Sequence, residues 1–468
     1  MAFYGICPEC NQEYTDIWDM WCKPCNSEHF RNDFDKWTSG NKIIDKLIQD
    51  AQLNADNYWK VTEWIPYDRF KDIKEIAKGG FGTIFKAKWI DGQIWKRDVD
   101  FQRWERSSLQ QDVALKKIDS FESLNEEFLN ETAIHLKTLK EGASLRFYGI
   151  TQDPETYKYI MVLVYLPGGN LRDYLKTNFN NINWSMKLGY LKELAHDFEN
   201  IHKLNIIHHD FHPGNILSYN FQDPYLYISD FGLSKLIGQN PKNPKKRKLF
   251  GVLPYIAPEV LSGEEEYTKA ADVYSFGIVA YEIVSGFAPY YNLPHDKDLA
   301  KQICDGLRPK IPFHIPKLIT RLIIRCWDAR VTHRPTFKEL SKELQKYYWD
   351  YRKNKNNNEI AIQIEKSEIL SKNLGSTNST IPTPMNYKTH PEAIYTSRLL
   401  NYSSLPKPKN DENFKNELKS ISALKAIYTS RLLNYSSLPK PKNDENFKNE
   451  LKSISALITS ESIPMLDQ

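Results

Sequence analysis

His208-His209-Asp210-Phe211-His212-Pro213-Gly214-Asn215 decides how this 468-residue chain is read. An apolar stretch ending at Ile206-Ile207 leads into it, and Ile228-Ser229-Asp230-Phe231-Gly232 follows at short range. Asp210, Asn215 five residues on and Asp230 fifteen beyond that offer one base and two hard oxygen ligands. Magnesium prefers such oxygens, takes only one or two from a protein and completes its shell with phosphates. The loop therefore points to phosphoryl transfer.

Upstream the pattern is strand-like. Residues 70–76 alternate, residues 77–84 run Ala-Lys-Gly-Gly-Phe-Gly-Thr-Ile, and Phe85 to Trp89 continue as a second strand. A glycine-rich turn between strands can bring backbone N–H groups over phosphates, although such hairpins also serve other purposes. Residues 90–110 read as a polar insert carrying Trp95 and Trp104. In the next strand, Asp112 to Ile118, Lys116 faces away from Leu115. A helix over 122–140 places Leu124, Phe128, Glu131 and His135 on one face. A Glu on an otherwise apolar stripe needs a cation, and Lys116 is the obvious partner. Strands at 144–151 and 158–165, a short helix from Asn170 and a long one over Trp184 to Lys203 bring the chain to the opening loop.

In this order the pieces resemble the protein kinase signature set. They are the turn at 77–84, Val113-Ala114-Leu115-Lys116, Glu131, the loop at 208–215 and Asp230-Phe231-Gly232. Ala257-Pro258-Glu259, Asp272 to Gly277 and His333-Arg334-Pro335 follow. The resemblance covers residues 70–347. Trp327-Asp328 and the stretch at 286–290 are similar to the tyrosine-kinase-like group. The cysteine-rich start, the entry at 64–67 and the tail resemble an expanded fungal kinase family. The resemblance implies an α+β, bilobal fold with an antiparallel sheet in the first lobe and helices in the second. It implies ATP and Mg²⁺ as cofactors, with Mn²⁺ as a substitute, and protein substrates. Asp210 would orient the substrate hydroxyl and take its proton, Lys116 would hold the α- and β-phosphates, and Glu131 would fix Lys116. Asn215 and Asp230 would bind the metal. The backbone of Ala77, Lys78, Gly79, Gly80, Phe81 and Gly82 would cover the phosphates. Ile84, Ala114 and Leu217 would pack adenine, Val164, Tyr165 and Leu166 would form the hinge, and Leu163 would guard the pocket behind it. Glu259, Arg334 and Asp272 match structural residues of the family.

Four departures carry information. Ala77 replaces the first glycine of the phosphate loop. His209 stands where many kinases have the Arg that meets a phosphate on the activation loop. Between Ser234 and Tyr255 there is no Ser, Thr or Tyr, so the two absences agree on an enzyme not switched on by phosphorylation there. His212 and Val252 replace the Lys and Thr usual in serine/threonine kinases. Serine/threonine transfer is favoured by Tyr255-Ile256-Ala257-Pro258-Glu259, with tyrosine or dual transfer left open. Ala77 and His209 also keep a pseudokinase scaffold as the alternative. The stretch from His208 to Asn215 is similar to small-molecule phosphotransferases too, but these do not usually carry the Ala-Pro-Glu motif.

Outside that region, Cys7-Pro8-Glu9-Cys10 and Cys22-Lys23-Pro24-Cys25 hold four of the six cysteines. Two Cys-x-x-Cys turns supply a tetrahedral thiolate set, so residues 1–30 read as a zinc-ribbon-like module with structural Zn²⁺; unrelated thiols or redox pairs are the plainer alternative. His29 reads as a surface residue. Residues 31–69 read as a linker whose helix carries Ile43, Ile44, Leu47, Ile48 and Ala51 on one face, with Ser39 or Asn41 as its cap. Residues 348–468 read as a disordered, low-complexity tail. There Ala393 to Leu424 recurs letter for letter as Ala426 to Leu457, and short helices fit 414–424 and 447–457. Two copies are too few for a solenoid. The zinc module, linker helix or tail could each take a protein partner.

Apolar content of 41% suffices for a core, and a net charge of +4 gives no reason to expect nucleic acid. No apolar run suggests a membrane span, and the first residues do not resemble a signal peptide. The expected location is cytoplasmic. Lys245-Lys246-Arg247-Lys248 is compatible with nuclear import, but a solvated loop is the preferred reading of that run.

Overall fold

The computed structural model describes residues 5–412 apart from 80–81, 108–109, 119–125, 140–141, 237–248, 354–357, 376–383, 385 and 403. The basic run at 245–248, Gly80, Phe81, Leu124, the two tail helices and the second repeat copy lie outside the described residues.

Helices α1 (Lys23–Asn32) and α2 (Lys42–Asn54) precede the sheet. Asn41 is the cap of α2, its side-chain oxygen accepting from the Ile43 N–H at 2.9 Å. Ile44 and Ile48 are buried against Phe128, Phe147, Tyr159 and Met161. The linker helix is thus part of the sheet lobe, while Ile43 is 57% exposed.

The lobe contains β1 (Glu63–Trp64), β2 (Phe70–Gly79) and β3 (Gly82–Trp89). A separate hairpin, β4 (Ile94–Asp98) and β5 (Arg103–Arg106), comes next. Then follow β6 (Gln111–Lys117), α3 (Glu126–Leu139), β7 (Phe147–Gln152) and β8 (Tyr159–Val164). The six-stranded sheet has the order β1-β7-β8-β6-β3-β2. It is antiparallel except where β1 runs parallel to β7. Val113 and Leu115 point from β6 into a core with Trp89, Tyr148 and Val162. Strand alternation then sends Lys116 to the other face, toward α3.

The second lobe is helical. Helices α4 (Leu171–Asn178) and α5 (Trp184–Lys203) start on the side chains of Asn170 and Asn183. Short ladders of β9 (Ile206–Ile207), β10 (Ile216–Leu217), β11 (Tyr227–Ile228) and β12 (Lys235–Leu236) frame the catalytic loop. Beyond β13 (Leu249–Gly251) come α6 (Pro258–Ser262), α7 (Lys269–Ser285), α8 (Lys297–Cys304), α9 (Lys317–Cys326), α10 (Phe337–Lys353) and α11 (Glu359–Gly375). Helix α7 is apolar nearly all round, as a central helix must be, and is buried from Ala271 to Ser285. A buried ion pair ties the lobe together: Arg334 Nη1 and Nη2 donate to the two Glu259 carboxylate oxygens at 2.7 Å each. None of the described helices is long and apolar enough to cross a membrane.

Two expectations need correction. The cysteine module is not a body apart from the domain that follows it. Trp21 and Phe30 share a core with Ala55, Tyr58, Val61 and Ile94, and Phe30 stacks on Trp104 with 4.2 Å between ring centres. The insert at 90–110 is therefore the platform on which the module folds. The segment after 348 is also not wholly disordered. α10 continues to Lys353, α11 buries Ile360 and Ile364, and residues 386–412 run along the helical lobe to a last strand, β14 (Arg398–Leu400). Aromatic and aliphatic anchors scattered through polar sequence do this, Leu400 and the ring of Tyr395 among them.

Candidate active site

Three elements meet at Lys116. Its ammonium, 5% exposed, contacts the Glu131 carboxylate of α3 and donates to Asp230 Oδ1 at 2.7 Å. Burial disfavours its charge, but Asp230 and Glu131 outweigh that and hold its pKa above the usual lysine range. Burial likewise works against the charge of Asp230, and Lys116 reverses it, so that carboxylate lies below its usual range. A column of rings supports the set. Phe147 of β7 stacks on His135 of α3, His135 meets Phe231 edge-on, and Phe231 packs on His208, with centres 5.0 to 6.1 Å apart.

Asp272 holds the catalytic loop from beneath. It accepts from the His208 N–H at 3.0 Å, the His209 N–H at 3.2 Å and His202 Nε2 at 2.9 Å. His209 and Asp230 both adopt left-handed backbone, with φ of 70° and 63°, which costs each about 1–2 kcal/mol. The loop is thus forced rather than relaxed. His209 stacks on Tyr267 at 4.2 Å, and burial pushes its pKa down to about 3. It is therefore neutral at physiological pH and cannot replace a phosphate-binding Arg.

Asn215 donates from Nδ2 to the Asp210 carbonyl at 2.9 Å. That assigns Oδ1 as the acceptor left for a metal, so Asn215 and Asp230 fit the hard-oxygen set Mg²⁺ requires. His212 Nδ1 accepts from the Gly214 N–H at 3.1 Å, which puts the ring proton on Nε2, 3.7 Å from Asp210 Oδ2. A Cβ at Gly214 would sit 2.8 Å from that ring, so glycine is required there.

The nucleotide-facing residues come from the expected strands. Ile84 pairs with Lys116, and Ala114 with Leu163. Ile84, Ala114, Val164, Tyr165 and Leu217 are half-buried, while Leu163 and Leu166 are buried. Val164 already gives its N–H to the Arg146 carbonyl at 3.0 Å. Ala77, Lys78 and Gly79 lie in exposed backbone of β2. Gly82, at φ 148°, approaches β6 so closely that a Cβ would meet the Lys117 carbonyl oxygen at 2.3 Å. This glycine is needed for strand packing as well as for the turn.

Sequence reading missed one participant. Ser397 donates its hydroxyl to Asp210 Oδ2 and lies 3.3 Å from His212 Nε2. The exact repeat that contains it marks the segment as unusual, but nothing in its composition says where it goes.

The four cysteines also converge. Their sulfurs all lie within 4.8 Å of one another, with Cys7–Cys25 at 3.8 Å and Cys10–Cys22 at 3.6 Å. Tetrahedral thiolates on a metal with bonds of about 2.3 Å are spaced about 3.8 Å apart, so the set can hold a metal ion. Only the first pair is a simple turn. Cys22 is instead the N-cap of α1 and Cys25 lies in its first turn, where the helix dipole favours thiolates. His29 pairs with Glu9 at 2.6 Å and lies outside the sulfur cluster.

This lobe pair and charge set define a protein kinase. Residues 70–344 match the family model of protein tyrosine and serine/threonine kinases, and the chain belongs to that family. Among similar proteins, serine/threonine-protein kinase VIK of Arabidopsis thaliana is 31% identical over 59% of this chain and 60% of its own. Tyrosine-protein kinase SPK-1 of Girardia tigrina is 26% identical over 64% of this chain and 54% of its own. Dual specificity protein kinase pyk3 of Dictyostelium discoideum is 26% identical over 66% of this chain and 21% of its own. The chain thus spans from about a fifth to three-fifths of these relatives. Their names cover all three hydroxyl preferences.

Proposed function

We propose that this chain is a catalytically active, ATP-dependent kinase that phosphorylates serine or threonine in proteins. The observation that carries the reading is Lys116 bridging Glu131 and Asp230, with Asp210 and Asn215 on the facing loop. A scaffold that has lost catalysis has no need to keep five buried or half-buried charged and polar groups in this arrangement. Lys116 binds the ATP phosphates, and Glu131 keeps it aimed. Asp210 aligns the acceptor hydroxyl and takes its proton, while His212 offers Nε2–H to the same oxygen in place of the usual Lys. Mg²⁺, held by Asn215 and Asp230, supplies charge neutralisation on the phosphates. Ile84, Ala114 and Leu217 sandwich the adenine, with the hinge at 164–166 beside it.

The neutral, stacked His209 supports a kinase that does not depend on an activation-loop phosphate. A map of the active protein that finds an essential phosphate in 235–254 contradicts this. The cysteine cluster supports structural Zn²⁺, since four thiolates leave no position open for chemistry. Incubation with Mg·ATP and a mixed peptide library tests the main reading. A folded protein that binds ATP but transfers to no peptide would return the chain to the scaffold reading.

A further inference from the structure

The chain carries its own candidate substrate in the site. Residues 398–400 form β14, which pairs antiparallel with β13: Gly251 faces Arg398, Phe250 faces Leu399 and Leu249 faces Leu400. Strand addition of this kind is a common way to seat an extended peptide. The segment is held along its length. His295 Nδ1 donates to the Ile394 carbonyl at 2.9 Å, and Arg172 Nη1 donates to the Tyr395 carbonyl at 2.6 Å. Arg172 is itself fixed by the Tyr255 hydroxyl at 3.0 Å, and Tyr255 donates to Glu282 at 2.5 Å. Leu400 is 5% exposed. Between these anchors Ser397 reaches Asp210 Oδ2. Tyr395 does not, because its hydroxyl donates to the Pro289 carbonyl at 2.9 Å.

We infer that Ser397 is a phosphoacceptor in cis, and that residues 393–400 are a tethered substrate of the kinase. This rests on the catalytic reading above. Ser397 Oγ attacks the γ-phosphorus of ATP and its proton passes to Asp210. The new O–P bond forms as the bond to the β-phosphate oxygen breaks, and ADP leaves with that electron pair. The placement also names a substrate class: a serine with an aromatic residue two positions before it and an aliphatic residue three after it. Tyr428, Ser430 and Leu433 repeat those determinants in the second copy. Once formed, the phosphoserine dianion beside Asp210 is repelled, so the product segment leaves the site.

The test incubates the full-length chain with Mg·ATP and maps phosphate on tryptic peptides. Cleavage after Lys388, Arg398, Lys425 and Arg431 gives 389–398 and 426–431, which separate the two copies. The expected result is phosphate on Ser397 at a first-order rate unchanged by tenfold dilution. Leu400→Asp should slow it at least tenfold, while transfer to added casein or a mixed peptide library persists. Ser397→Ala should clear the 389–398 peptide of phosphate. An enzyme active on added substrate that leaves 389–398 unmodified, marks only 426–431, or labels Ser397 in proportion to protein concentration overturns the inference. Such a result leaves the catalytic reading intact. Failure to transfer to any substrate, added or tethered, is instead the failure of that reading.

Discussion

Glu131→Gln isolates the electrostatic core of the site. The change keeps shape and a hydrogen-bonding oxygen but removes one of the two carboxylates that face Lys116. At an effective dielectric of about 20, opposite charges about 4 Å apart attract by about 4 kcal/mol. A neutral amide oxygen recovers about 1 kcal/mol as an ordinary hydrogen bond. The net loss is about 3 kcal/mol. Lys116 is then drawn wholly to Asp230, which also has to hold the metal. If that loss falls on the transition state, kcat/KM for peptide phosphorylation drops about 150-fold. The assay is initial-rate kinetics over a range of ATP, beside a thermal melt showing that the variant is folded. A folded variant within threefold of wild type refutes the claim that Glu131 aims Lys116.

The other predictions concern stability. Arg334→Ala strands the buried Glu259 carboxylate and should lower the unfolding free energy by about 3–5 kcal/mol in urea titration; a loss under about 1 kcal/mol would mean the pair is open to water. His209, with its folded pKa near 3 against an ordinary 6.5, accepts a proton far more readily when unfolded. Its contribution is whole above pH 6.5 and declines below it by about 1.4 kcal/mol per pH unit until about pH 3. Wild type should therefore lose more urea stability between pH 7.5 and 5.5 than His209→Phe, and equal losses refute the assignment. Purified chain should carry one zinc. A strong chelator should change the near-ultraviolet signal of the stacked Trp21 and Trp104, whose centres lie 6.1 Å apart; protein purified without chelator that holds no metal removes the zinc claim.

Local and periodic features were legible in the chain. The helix from Trp184 to Lys203 has the predicted ends because Asn183 caps it and its leucines repeat at helical spacing. Glu131 was found because a charge on a buried stripe requires a partner, and strand alternation supplied Lys116. What could not be read depends on contacts distant in sequence. Trp104 joins the cysteine module through Phe30, more than seventy residues away, and no local pattern announces that the insert and the module share a core. The tail reads as solvated because its anchors are sparse, and each is satisfied only by a surface that the helical lobe builds first. Ser397 meets Asp210 across 187 positions, through a register set by β13 and β14.

The central claim is that this constellation transfers phosphate, and single-turnover transfer from labelled ATP to a peptide acceptor tests it most directly. With wild type and Asp210→Asn compared at equal ATP occupancy, wild type should transfer and the variant should be slower by about a thousandfold, the scale of a lost general base. Equal rates in the two proteins, or no transfer by wild type with ATP bound, would contradict the account.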